Sequence, residues 1–135
     1  MEELEEAKDI IKQDKVIVYP TETAYGIGGN ALNKDVIDRV YDAKKRPRSK
    51  GLTVIVSSLE QAEDYAELNE VEKALVEEFM PGPLTLVAEK KDGVPDNLND
   101  SFVFRISSSP IARELASERP IVASSANSTR EKTSY

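Results

Sequence analysis

The chain has 135 residues, 39% hydrophobic and 32% charged, the size and composition of one globular domain with its own core. It contains neither cysteine nor histidine, which excludes disulfides, the usual zinc sites and Ser-His or Cys-His catalysis. A net charge of −7, from 18 Lys+Arg against 25 Asp+Glu, argues against bulk nucleic-acid binding, because phosphate neutralisation drives that affinity.

Leu4, Ala7, Ile10 and Ile11 recur at helical spacing, so residues 2–13 are predicted to form an amphipathic helix. The run Val16-Ile17-Val18-Tyr19 reads as a strand buried on both faces, and residues 20–30, rich in Thr and Gly, as a loop. Asn33 caps a helix reaching Lys44 and burying Val36, Ile37, Val40 and Tyr41; Pro47 lies just beyond it. Leu52 to Val56 is a second strand. Ser58-Leu59-Glu60-Gln61 and Asn69-Glu70-Val71-Glu72 each open a helix with a capping signal. The second of these helices is expected to bury Val71, Ala74, Leu75 and Phe79 before Pro81-Gly82-Pro83 stops it. Leu84 to Ala88, Phe102 to Ile106 and Ile121 to Ala123 complete the strands, with a short helix from Pro110 capped by Ser109. Alternating strands and helices predict an α/β fold, and the long 90–100 turn allows a hairpin, so a twisted mixed parallel/antiparallel sheet flanked by helices is expected. Residues 1–135 read as a single domain.

No apolar run approaches the ~20 residues of a membrane helix. The acidic start Met1-Glu2-Glu3-Leu4-Glu5-Glu6 also lacks the basic region of a signal peptide, so a cytoplasmic location is expected, with no membrane partner.

Three loops concentrate chemistry. Residues 19–29 carry hydroxyls, one carboxylate and three glycines directly after a strand; alone this suits a tight turn as well as a ligand loop. Residues 44–50 hold five cations and no acid, leaving 13 positives against 25 negatives elsewhere. That island fits a local anionic ligand or a solvated helix end. Pro47 disfavours helix at Arg46, and if Lys44 already belongs to that extended stretch an i, i+2 spacing points Lys44 and Arg46 the same way, a pair suited to phosphate or carboxylate. Ser125 and Asn127 offer neutral donors after the last strand.

Read in order, Tyr-Pro-Thr-Glu-Thr-x-Tyr-Gly-x-Gly, Lys-x-Arg-Pro, Pro-Gly-Pro-Leu-Thr-Leu-Val and Ser-Ala-Asn resemble the Sua5/YrdC/YciO family from Val16 to Asn127. The resemblance implies an L-threonylcarbamoyladenylate synthase, which joins L-threonine, bicarbonate or CO2 and ATP, releases pyrophosphate and serves N6-threonylcarbamoyladenosine modification of tRNA. It assigns Lys44 and Arg46 as catalytic cations and Thr21, Thr23, Tyr25, Arg105, Ser125 and Asn127 as substrate- or nucleotide-binding residues. Glu22 is a further contact to the threonine amine or a solvated carboxylate. No protein metal site is implied; Mg²⁺ is expected with ATP. Expected partners are a separate threonylcarbamoyl transferase that receives the adenylate, a tRNA or RNA contact, and a second copy as homodimer.

The sequence departs from the family pattern at Lys50-Gly51-Leu52, at Ile55, at Ser107 and at Thr129-Arg130. Relatives also continue past Asn127 with further strands and a helix. That predicts a folded domain with an open cavity, weak ATP binding and a covered sheet edge. The alternatives are an RNA- or nucleotide-binding module without catalysis, and a carbamoyl-adenylate activity like that of the related domain in hydrogenase-maturation proteins.

Overall fold

The structure is a computed structural model that describes residues 2–20, 25–44, 52–82, 84–98 and 101–125. Its strands are β1 (Ile17–Pro20), β2 (Tyr25–Asn30), β3 (Thr53–Val56), β4 (Ala66–Glu67), β5 (Leu86–Lys90), β6 (Phe102–Ile106) and β7 (Ile121–Ser125). They form one mixed sheet in the order β1-β2-β7-β3-β6-β5-β4, with β4 a two-residue edge. β3 and β6 run parallel, and the other neighbours pair antiparallel. The expected mixed sheet is thus present, with one parallel pair among the described residues.

Among the described residues, five helices, α1 (Glu2–Lys12), α2 (Lys34–Lys44), α3 (Leu59–Glu63), α4 (Glu70–Phe79) and α5 (Pro110–Leu115), flank this sheet. Strand alternation divides the core. Val54, Val56, Val122, Phe104 and Ile106 face α2, α3 and α4 together with Tyr41 and Val76, whereas Ile17, Ile55 and Ile121 face α1 and α5 with Ile11 and Leu115. The Lys8 ammonium binds Glu114 at 2.7 Å and joins α1 to α5; that hydrogen bond raises the lysine's pKa.

The capping signals act as read. Ser58 Oγ accepts from the Gln61 amide, Ser109 Oγ accepts from the Ala112 amide, and Asn69 with Glu72 closes a capping box. Asn33 Oδ1 accepts from the amides of Asp35 and Val36, and Val36, Ile37, Val40 and Tyr41 are all buried.

Several expectations fail. Residues 25–30 form β2 rather than loop, although half of the strand is glycine, because β2 is hydrogen-bonded on both sides, to β1 and β7. Glycine at 29 has a packing role: a Cβ there would stand 2.7 Å from Val36 Cγ1 and 3.0 Å from the Lys15 carbonyl oxygen. Gly29→Ala should therefore cost about 1–3 kcal/mol through overpacking, read as a lower urea midpoint at unchanged slope.

Second, α4 is rotated from the expected facing. Val76 is its buried residue, while Val71 and Phe79 are 69% and 54% exposed. The helix lies against α3 and β5 beside the short β4 edge, so a single line of side chains reaches the core. Third, the last strand runs on to Ser125, pairing Ser124 with Ile27 and Ser125 with Gly26. The strand expected at 84–88 is shifted to 86–90.

Candidate functional site

Register shows where the motifs meet. β2 runs antiparallel to β1 and β7, and β3 runs antiparallel to β7, so Pro20, Tyr25, Ser125 and Thr53 all stand at one end of the sheet. α2 starts beside the opposite end, after Asn30, and packs along β2. Its 11 residues return about 16 Å, at 1.5 Å per residue, to the first end, where its last residue is Lys44. Lys44, Tyr25 and Ser125, far apart in sequence, therefore share one end of the fold at the level of their backbones.

The pairs Gly26↔Ser125, Gly28↔Ala123 and Thr53↔Ala123 place these positions on the sheet face of Ile55 and Ile121. α1 and α5 cover that face at Ile17, Ile55 and Ile121. Farther along the same face, the β5–β6 register adds Val103 and Val87, the latter 61% exposed. That face carries small residues and ends in a serine, whereas α2 packs on the opposite face, so Lys44 and Ser125 meet only at the shared end of the sheet.

Arg105 is not gathered at that end. It pairs with Ile55, in the row of Ile121 and Asn30. This row lies four residues below Ser125 along β7, about 13 Å at a strand rise of 3.3 Å. Alternation nonetheless puts Arg105 on the same sheet face as Ser125, and it is partly buried. Thr21, Glu22, Thr23, Arg46 and Asn127 lie outside the described residues, which flank them at the shared end: Pro20 and Tyr25, then Lys44 and Leu52, then Ser125.

Motif reading missed residues 91–98, which border α2. Tyr41 Oη donates to the Leu98 carbonyl at 3.1 Å, and Asn97 Nδ2 donates to the Lys34 carbonyl at 3.0 Å and to Asp38 Oδ1 at 3.1 Å. Lys34 Nζ lies 3.1 Å from Asp96 Oδ1. The Lys34 hydrogen bond holds the Asp96 carboxyl below its usual range, so that pair's contribution is present above the unfolded carboxyl's pKa and fades as pH falls through the lowered one. The Asn97 signal was available in its place beside an asparagine-rich turn, but its partners on α2 are 59 and 63 residues away.

Among the described residues no group of three or more Asp, Glu, His or Cys could hold a metal ion. Among the same residues no helix is long and apolar enough to cross a membrane.

A profile of the Sua5/YciO/YrdC family, described as Telomere recombination, matches residues 9–135. The chain belongs to the Sua5/YciO/YrdC family. A Methanocaldococcus jannaschii relative is 39% identical over 125 residues, 92% of this chain and 60% of its own length. The threonylcarbamoyl-AMP synthase of Pyrococcus abyssi is 41% identical over 127 residues, 90% of this chain and 37% of its own. The crystal structure of P. abyssi Sua5 complexed with L-threonine superposes with a TM-score of 0.86 at 40% identity, covering 92% of this chain and 38% of that one. The chain thus spans 37% to 60% of the lengths of these family members, and its YrdC-like fold is theirs.

Proposed function

We propose that this chain makes L-threonylcarbamoyladenylate from L-threonine, bicarbonate or CO2 and ATP. The observation that carries the reading is the convergence of Tyr25, Lys44 and Ser125 on one end of the sheet, from three motifs that the family holds in the same order. A relative at 40% identity is known complexed with L-threonine, which supports threonine as the amino acid here.

In the proposed reaction the threonine amine attacks bicarbonate, losing water to give N-carboxythreonine. The new carboxylate attacks the α-phosphorus of ATP; the bond to the bridging oxygen breaks and pyrophosphate leaves. Negative charge grows on the α-phosphate oxygens and on the pyrophosphate. Lys44 and Arg46 offset that charge, one as a point cation and the other as a planar fork. Ser125 and Asn127 hold phosphate or carbamate oxygens by hydrogen bonds, and Thr21, Thr23 and Tyr25 orient threonine. Arg105 adds positive charge deeper on the same sheet face. The adenylate, a reactive mixed anhydride, would pass to a separate transferase acting on tRNA in the cytoplasm.

Pyrophosphate release in the presence of ATP and bicarbonate tests this reading. Release that depends on threonine is expected. Serine should be slower by the ~1–3 kcal/mol that one methyl contact is worth, and glycine slower still for lack of a hydroxyl. Equal rates with glycine and threonine would remove the hydroxyl contact, and dependence on carbamoyl phosphate would mark a different adenylate. Nucleotide binding without release would support a binding module instead.

A further inference from the structure

Lys44 is the last residue of α2, so its position depends on whatever holds that helix against the sheet. Residues 91–98 do so from outside the sheet, and they are themselves anchored. The Lys91 amide donates to the Tyr65 carbonyl at 2.9 Å, and Lys91 Nζ donates to the Glu63 carbonyl at 2.7 Å. Gly93 turns the chain with φ at +97°, and Leu98 is buried in the core. Between these anchors, Asp96, Asn97 and Leu98 meet Lys34, Asp38 and Tyr41 in the same order along α2, running towards Lys44.

The contacts have one arrangement. Asn97 Nδ2 serves two acceptors, and turning the amide over would set its oxygen against a carbonyl and a carboxylate. Tyr41 lies one helical turn before Lys44, its ring fully buried and its hydroxyl fixed on the Leu98 carbonyl. A translation or rotation of α2 that moved Lys44 would break this bond and the Asn97 pair together.

We infer that residues 91–98 form a clamp that sets where α2 delivers Lys44, which makes Tyr41 and Asn97 positioning residues for the phosphate end of the site. The inference rests on the adenylate-forming reading, since it takes Lys44 to meet a phosphate. Tyr41→Phe removes the hydroxyl and leaves the buried ring. Asn97→Ala removes the second point of attachment, on a part-exposed loop, and guards against a tyrosine variant that fails to fold.

A double-mutant cycle separates positioning from plain stability. Pyrophosphate affinity, by calorimetry, and threonine-dependent turnover are measured for the wild type, Tyr41→Phe, Lys44→Ala and the double variant, with the Asn97→Ala set alongside. Tyr41→Phe should weaken pyrophosphate binding and lower kcat/KM for ATP about tenfold when Lys44 is present, and less than about twofold in the Lys44→Ala background, the signature of coupled residues. Equal losses in both backgrounds, or a lower Tm with unchanged affinity, would overturn the clamp. If the wild type binds pyrophosphate with this coupling yet turns over no threonine, the clamp stands and the synthase reading falls. A wild type that does not bind pyrophosphate leaves Lys44 nothing to hold and overturns the inference, whatever its turnover.

Discussion

Replacing Phe104 by alanine is expected to lower stability by about 3–5 kcal/mol, the usual cost of removing a buried aromatic ring. Phe104 sits in β6 between β3 and β5 with no exposure to solvent, and its ring centroid lies 5.5 Å from that of Phe102. Truncation would remove the transfer free energy of the ring and leave a cavity beside Phe102, which also stacks on Tyr65 at 6.1 Å. A loss of that size is a large share of the 5–15 kcal/mol that typically holds a domain together. Urea unfolding followed by circular dichroism checks it. Val87→Ala, at a site 61% exposed on β5, should by contrast stay within about 0.5 kcal/mol of wild type. Comparable losses at the two positions would mean that the β5–β6 half of the sheet is not packed as described.

The second large effect is kinetic. Lys44→Ala and Arg46→Ala should each lower kcat/KM for ATP by roughly 10²–10³, the loss that follows removal of one donor to a developing charge. Folding should be unaffected, since Lys44 is the last residue of its helix. Lys45→Ala and Arg48→Ala should be milder, because the family resemblance assigns the phosphate contacts to Lys44 and Arg46. Steady-state kinetics with varied ATP at saturating threonine gives the order directly. Losses within twofold at both Lys44 and Arg46 would remove the assignment, and the reverse order would mean that the other cations face the phosphates.

The elements legible in the sequence were those whose signal is local. Asn33, Ser58, Asn69 and Ser109 cap helices with their own side chains, so a window of four residues is enough to place each start. β2 was hidden because glycine carries no strand signal; the strand exists through its two neighbours, one of them 91 or more residues away in sequence. The facing of α4 failed for a related reason: its periodic apolar residues give a stripe, but the short β4 edge leaves most of that stripe without a covering element.

For the site, the residue types were legible and their meeting was not. Lys44, Tyr25 and Ser125 each stood in a recognisable motif, yet their shared sheet end follows from antiparallel register between β1, β2, β7 and β3. The same register separates Arg105 from them, a distance that no motif encodes. The hold of residues 91–98 on α2 was invisible for the reason that hid β2: its donors and acceptors lie tens of residues apart.

The most direct measurement is of the product. The folded chain would be incubated with ATP, L-threonine and carbon-labelled bicarbonate, and the nucleotides separated. The expected result is label in an AMP-linked species that needs all three substrates and yields threonine on hydrolysis, with one pyrophosphate released per labelled molecule. A protein that binds ATP and threonine but puts no label into any nucleotide would contradict the proposed chemistry.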